Sequence, residues 1–142
     1  SNLIKDGFFA ALEEEGKYDM ENGRICIFNL WRRFDADGLH APLAVCDASS
    51  VTEAELIPTD LWNYGDGGQG FAIEIYQSSY NPEHRWFYFP KMTCDEAIIF
   101  RVYDSEVDGR ARFTPHTSFI DPQSTDTANE RESIEVRMMA FF

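Results

Sequence analysis

The sequence predicts a mainly β domain, a sandwich or a barrel. Three observations predict it. About seven short segments carry the apolar, β-branched or alternating pattern of strands. Only one segment carries a helical pattern. Twelve phenylalanines within a 44% hydrophobic composition suffice to fill a core. At 142 residues the chain is read as a single domain spanning residues 1–142, with no internal repeat and no linker.

The elements follow in order. In LIKDGFFAALEEEG, Leu3, Ile4, Phe8, Ala11 and Leu12 fall near one helical face and Gly16 can end the helix. RICIFNLW, residues 24–31, is a short apolar run that reads as a buried strand. PLAVCD reads as the next. SSVTEAEL sets Ser49, Ser50 and Thr52 ahead of acidic residues, which predicts a short capped helical turn. NYGDGGQG has four glycines but no following Lys-Ser/Thr, so it is a hairpin tip and not a phosphate loop. FAIEIYQS alternates Phe71, Ile73 and Ile75 against Ala72, Glu74 and Tyr76, the period of a half-buried strand. RWFYF and AIIFRVYDS are two more strands, joined by the turn PKMTCDE. ARFTPHTSF and SIEVRMMAFF close the chain, and these last two strands are expected to run antiparallel.

Charge and cysteine usage narrow the function. A net charge of −13, with twelve basic residues scattered among 25 acidic ones, argues against nucleic acid and anionic membranes as partners. No apolar run approaches the roughly 20 residues of a membrane-spanning helix, and no signal peptide is read at the N-terminus. Cys26, Cys46 and Cys94 are widely spaced and form no CxxC pair, which argues against a zinc ribbon or a thioredoxin-type site. Free thiols fit a reducing, cytoplasmic setting. Gly-x-Ser-x-Gly and His-Glu-x-x-His are both absent, so serine-hydrolase and zinc-protease chemistry have no footing.

Two motifs near the C-terminus carry chemistry. His116 ends a strand in polar surroundings, with Thr114, Thr117 and Ser118 beside it and Pro115 fixing the backbone. Arg131 and Ser133 open the last strand, where an antiparallel return would bring them to His116. An unpaired cation inside a barrel is very costly, so such an arginine calls for an anion. Its planar fork suits a carboxylate, with Ser133 adding a hydrogen bond. Arg137 shares the face of Arg131 if no bulge intervenes, and is its rival. The ordinary alternative for His116 is a structural role. Asn29, Trp31 and Arg32 either form a pocket wall or end a strand in a salt bridge. Trp86 and Tyr88 share one face and Phe87 and Phe89 the other; one pair, with Trp86 and Tyr88 the candidates, lines a pocket, or they pack in the core. His84 is a rim histidine or a substrate contact, and the acids Asp95, Glu96 and Asp104 read as turn residues.

The segments NLWRRF, PLAVCDASSV, HRWFYFPKMTCDEAIIFRVYDS, ARFTPHTSF and RESIEVR occur in one order and cover residues 24–142 nearly continuously. In them the chain resembles the fungal and bacterial hydroxylase/desaturase family of non-haem iron, 2-oxoglutarate-dependent oxygenases, which includes relatives of the gibberellin desaturase and of the cephem 7α-methoxylase small subunit. The resemblance implies a double-stranded β-helix, a jelly roll of the cupin kind, with one N-terminal helix. It implies Fe(II) and 2-oxoglutarate as cofactors, and hydroxylation or desaturation of a small-molecule secondary metabolite. In the family pattern His116 is the distal iron ligand and Arg131, with Ser133, the 2-oxoglutarate anchor. The family's first two iron ligands, a His-x-Asp, have no counterpart here. The chain is therefore expected to be the C-terminal part of a longer β-helix, incomplete at its N-terminus. The other reading is a non-catalytic barrel that has lost iron and binds a small acid or a partner. Asp35, Asp37 and His40 in DADGLH are the internal candidates for replacement ligands.

Overall fold

The computed structural model describes residues 23–34, 41–62, 72–122 and 131–142. Eight strands run along them: β1 (Ile25–Arg33), β2 (Leu43–Cys46), β3 (Leu56–Trp62), β4 (Ala72–Ser78), β5 (Trp86–Tyr88), β6 (Ile98–Asp104), β7 (His116–Ser118) and β8 (Ser133–Phe141). The helix expected near the N-terminus, the glycine-rich tip, and Asp35, Asp37 and His40 lie outside the described residues.

The strands fall into two compact units. The first holds residues 51–82 with the N-terminal residues to Gly23, and its strands β3 and β4 form an antiparallel pair, Leu56 opposite Ser78 and Trp62 opposite Ala72. β3 was not anticipated. Its sequence LIPTDLW carries Pro58, which cannot donate to a ladder and so obscures the strand pattern. A short 3-10 turn, Glu53–Glu55, precedes it. The Glu55 carboxylate accepts from both the backbone N–H and the hydroxyl of Thr52, which is the capping arrangement the sequence predicts.

The second unit, residues 24–50 and 83–142, holds two three-stranded sheets. One has the order β6-β1-β8 and the other β5-β2-β7, all pairs antiparallel. β1 is central because its run is apolar on both faces. Along it Asn29, Trp31 and Arg33 are buried and Leu30 and Arg32 less so. Pairing in register places Phe100 and Arg137 on either side of Asn29, Ile98 and Glu135 beside Trp31, and Ser133 beside Arg33. These residues share the inner face. From the other sheet Leu43 and Val45 point the same way, and Trp31, Leu43 and Phe100 form the core, with Val45, Met92, Ile98 and Val102 packed on it. The last two strands do not pair with each other. β7 pairs with β2 and β8 with β1, so the chain crosses from one sheet to the other between them.

A buried ion pair closes one end of the first of these sheets. Asp104, the last residue of β6, is 2% exposed. Arg24 clasps it with both Nε (2.9 Å) and Nη2 (2.6 Å), and Arg101 adds Nη1 at 2.7 Å. The Arg24 fork holds the Asp104 carboxyl well below the usual carboxylate range, against the opposing effect of burial. Asp104 thus fastens β1 to β6 and is structural. Glu96 is a turn residue, its carboxylate accepting from the backbone N–H of Thr93 at 2.7 Å.

Candidate functional site

The site grows from the inner face of β1. Trp31 points inward because period two places it with Asn29 and Arg33. Its ring carries the guanidinium of Arg131, whose Cζ lies 5.6 Å from the ring centroid. The same guanidinium donates from Nη1 to the carbonyl of Ala41 at 2.6 Å. Arg131 and Arg33 line one cavity, whose apolar walls come from Trp31, Leu43, Phe89 and Met92. No carboxylate among the described residues lines it. Arg33 is 6% exposed and donates from Nη1 to the carbonyl of Met92 at 3.2 Å. Ser133, half-buried, stands opposite Arg33 in the β1–β8 register. The Arg131-x-Ser133 motif therefore meets Trp31 and Arg33 at one end of the inner face.

His116 occupies the facing sheet. It is opposite Val45, and so points to the side of the core. Its ring leans on Phe100 with centroids 4.7 Å apart. Nδ1 lies 2.9 Å from the carbonyl oxygen of Thr114. A carbonyl only accepts, so Nδ1 carries a proton, and in the neutral ring Nε2 keeps its lone pair. That is how a metal-ligating imidazole is set up: one nitrogen fixed by a backbone carbonyl, the other basic and available. Among the described residues no group of three His, Cys, Asp or Glu side chains is arranged to hold a metal. His116 fits iron as one donor of a set. Arg131 fits one carboxylate of a dicarboxylic acid; Ser133 shares the inner face beside Arg33 but does not line the cavity.

The other residues singled out in the sequence divide. Asn29 and Trp31 are on the inner face with His116's neighbour Phe100. Arg32 is not. It points to the opposite face, donates from Nε to the carbonyl of Cys94 at 2.7 Å and stacks over Phe34. The arginine in the cavity is its neighbour Arg33, and the period-two signal that placed Trp31 inward also pointed to Arg33. Trp86 and Tyr88 pair with Cys46 and Ala44, on the face of β2 away from Val45 and His116. Tyr88 packs edge-on against Phe119 there, with centroids 5.0 Å apart. Phe89, just past β5, reaches the cavity instead. Arg137 is not in the cavity. Its Nε donates to Asn29 Oδ1 at 3.1 Å.

Known proteins carry the same arrangement of sequence. The family described as "Oxidoreductase/YMDC permease-like domain" matches residues 10–141. The hydroxylase/desaturase asaB of Aspergillus flavus is 35% identical over 153 aligned residues, covering 100% of this chain and 64% of that protein. The gibberellin cluster GA4 desaturase of Gibberella fujikuroi is 29% identical, covering 99% of this chain and 42% of the desaturase. A solved structure, a variant of the iron and alpha-ketoglutarate-dependent endoperoxidase NvfI, superimposes with a TM-score of 0.74 at 27% identity, covering 99% of this chain and 46% of that one. The chain thus spans about half the length of most of these relatives. The likeness to NvfI extends over the β-strands of the jelly roll, the fold class the sequence predicts. The chain belongs to the family of this oxidoreductase-type domain, and it is similar in sequence to fungal hydroxylase/desaturases.

Proposed function

We propose that the protein is an Fe(II)- and 2-oxoglutarate-dependent oxygenase that hydroxylates or desaturates a small secondary metabolite. His116 is one of its iron ligands, and Arg131 with Ser133 anchors the distal carboxylate of 2-oxoglutarate. The observation that supports it is the placement of His116 and Arg131 on one core: Phe100 carries the His116 ring, Trp31 carries the Arg131 guanidinium, and Phe100 and Trp31 belong to the same buried cluster. When bound, iron with 2-oxoglutarate and dioxygen supplies the oxidising equivalents. One oxygen atom goes into succinate, carbon dioxide leaves, and the substrate C–H becomes C–OH, or two vicinal hydrogens leave as water. This chain's residues hold and orient. Arg131 fixes the acid in a bidentate grip, Ser133 donates a further hydrogen bond, and the carbonyl of Thr114 fixes the tautomer of His116.

The single-domain reading of residues 1–142 is part of this proposal, and one family match running continuously over residues 10–141 supports it. So is a cytoplasmic setting, supported by three cysteines that are all free. No helix among the described residues is long and apolar enough to cross a membrane. A small-molecule partner, rather than nucleic acid, suits the net charge of −13.

The test is succinate formation. The full-length protein, given Fe(II), ascorbate, dioxygen and 2-oxoglutarate, should convert 2-oxoglutarate to succinate slowly even without substrate, and a chelator should stop it. Binding of 2-oxoglutarate with no succinate is the outcome the non-catalytic barrel predicts. Neither binding nor succinate removes the oxygenase and the acid-binding barrel, and leaves the barrel that binds a partner.

A further inference from the structure

Asn29 is wholly buried in the middle of the inner face, and neither the anchor nor the histidine accounts for it. A buried carboxamide is costly unless both its ends are satisfied. Here both are. Nδ2 donates to Glu135 Oε1 at 2.6 Å, and Oδ1 accepts from Arg137 Nε at 3.1 Å. The amide cannot be reversed, because a carboxylate only accepts and a guanidinium only donates. Glu135 and Arg137 are two residues apart on β8 and face the same way, about 7 Å from each other along the strand. Both are exposed. One oxygen of Glu135 and both terminal nitrogens of Arg137 have no further partner among the described residues. A buried residue thus holds an acceptor and a donor side by side and presents them outward from the inner face.

The row has a definite place in the site. Asn29 is directly beside Phe100, on which the His116 ring rests. Arg137 is on the other side of Asn29, so it lies two strand spacings, about 10 Å, across the sheet from Phe100. That is the length of a small organic molecule. Trp31 and Arg131 are one inward position further along β1.

We propose that Glu135 and Arg137, held by Asn29, form the subsite that recognises the substrate's polar end. Their charges cancel, so the subsite favours a neutral group with a carbonyl acceptor next to an N–H or O–H donor: a lactam or a hydroxy ketone. The carbonyl takes the Arg137 nitrogens and the adjacent donor takes the free Glu135 oxygen. This assignment rests on the reading of the inner face as an oxygenase site.

The test is by NMR on the full-length protein with three probes: δ-valerolactam, its N-methyl derivative and hydroxyacetone. The lactam should shift the Asn29 side-chain amide and the Arg137 Nε–H resonances in a saturable way. The N-methyl compound, which lacks the donor, should bind roughly 10- to 150-fold more weakly, the loss expected for one hydrogen bond to a charged group. Hydroxyacetone shows whether the hydroxy ketone competes with the lactam. Glu135→Gln, which can keep its bond to Asn29, should erase the difference between the two lactams. Equal binding of the two lactams to the wild type, or shifts at neither resonance, overturns the subsite. The Trp31 indole resonance, followed while 2-oxoglutarate is added to the same sample, tests the oxygenase reading separately.

Discussion

The Nδ1 of His116 is committed to the carbonyl of Thr114, which leaves Nε2 as the basic nitrogen. The consequence is direct. His116→Gln should abolish succinate formation while leaving thermal stability nearly unchanged, since the ring is only half-buried; a variant that still turns over 2-oxoglutarate would show that His116 is no ligand. Asp104 makes the opposite prediction. Its carboxyl is depressed by the Arg24 fork, so its contribution to stability is present above the ordinary carboxylate pKa of about 4 and is lost as pH falls through the native value. Asp104→Asn should lower stability by about 1.5–3 kcal/mol at neutral pH, and its denaturation midpoint should change less than the wild type's between pH 5 and pH 2. Equal slopes for the two proteins would mean the ion pair contributes nothing. At this scale the sequence was partly legible. His116 and Arg131-x-Ser133 could be named because their residue types state their chemistry. Arg33 was passed over for Arg32, although alternation about Trp31 already placed Arg33 inward. The bond from Arg137 to Asn29 was invisible, because it depends on which residues of β1 and β8 stand opposite one another.

Strands that bury a continuous apolar run were legible. β1 and β6 have that run, and both appear where the pattern predicts them. β3 was missed because Pro58 and Asp60 interrupt its pattern, and what makes it a strand is its partner β4 rather than its own propensity. Pairing between distant strands was not legible. The expectation that the last two strands return on each other rested on their adjacency in sequence, yet β7 closes onto β2 and β8 onto β1. The proposed site does not depend on that return, because the two sheets bring His116 and Arg131 to one core from opposite sides. β1 is the element on which the arrangement hangs. Trp31 is 5% exposed and supports both the core and the Arg131 guanidinium. Trp31→Ala should cost about 3–5 kcal/mol of stability and should weaken 2-oxoglutarate binding even at a temperature where the variant remains folded. Trp31→Phe should recover most of the stability, and a variant that lost stability without losing affinity would separate the core from the site.

For the molecule as a whole, the distribution of charge matters as much as the fold. A net charge of −13 repels polyanions, while Arg33 and Arg131 concentrate positive charge in a small apolar cavity. A small dicarboxylate can be drawn there although the chain as a whole is acidic. Salt should therefore weaken 2-oxoglutarate binding less steeply than it weakens surface ion pairs, because a partly buried grip is screened less than an exposed one. A steep loss of affinity between low and physiological salt would place the anion on the surface instead. The family resemblance made the fold and the cofactor class legible at this scale, since five ordered segments constrain the whole chain more tightly than any single motif.

The central claim is that Arg131, and not Arg137, holds the distal carboxylate. It is tested most directly by 2-oxoglutarate affinity in the full-length, iron-bearing protein for Arg131→Lys, Ser133→Ala and Arg137→Lys. Loss of the bidentate fork costs about 1.5–3 kcal/mol, so Arg131→Lys should weaken binding by up to roughly 10- to 150-fold, less whatever the ammonium recovers. Ser133→Ala should cost about 1 kcal/mol. Arg137→Lys should leave 2-oxoglutarate binding unchanged, because its guanidinium is bound to Asn29 and lies outside the cavity. If Arg137→Lys weakens binding and Arg131→Lys does not, the anchor is Arg137 and the site described around Trp31 is not where 2-oxoglutarate binds.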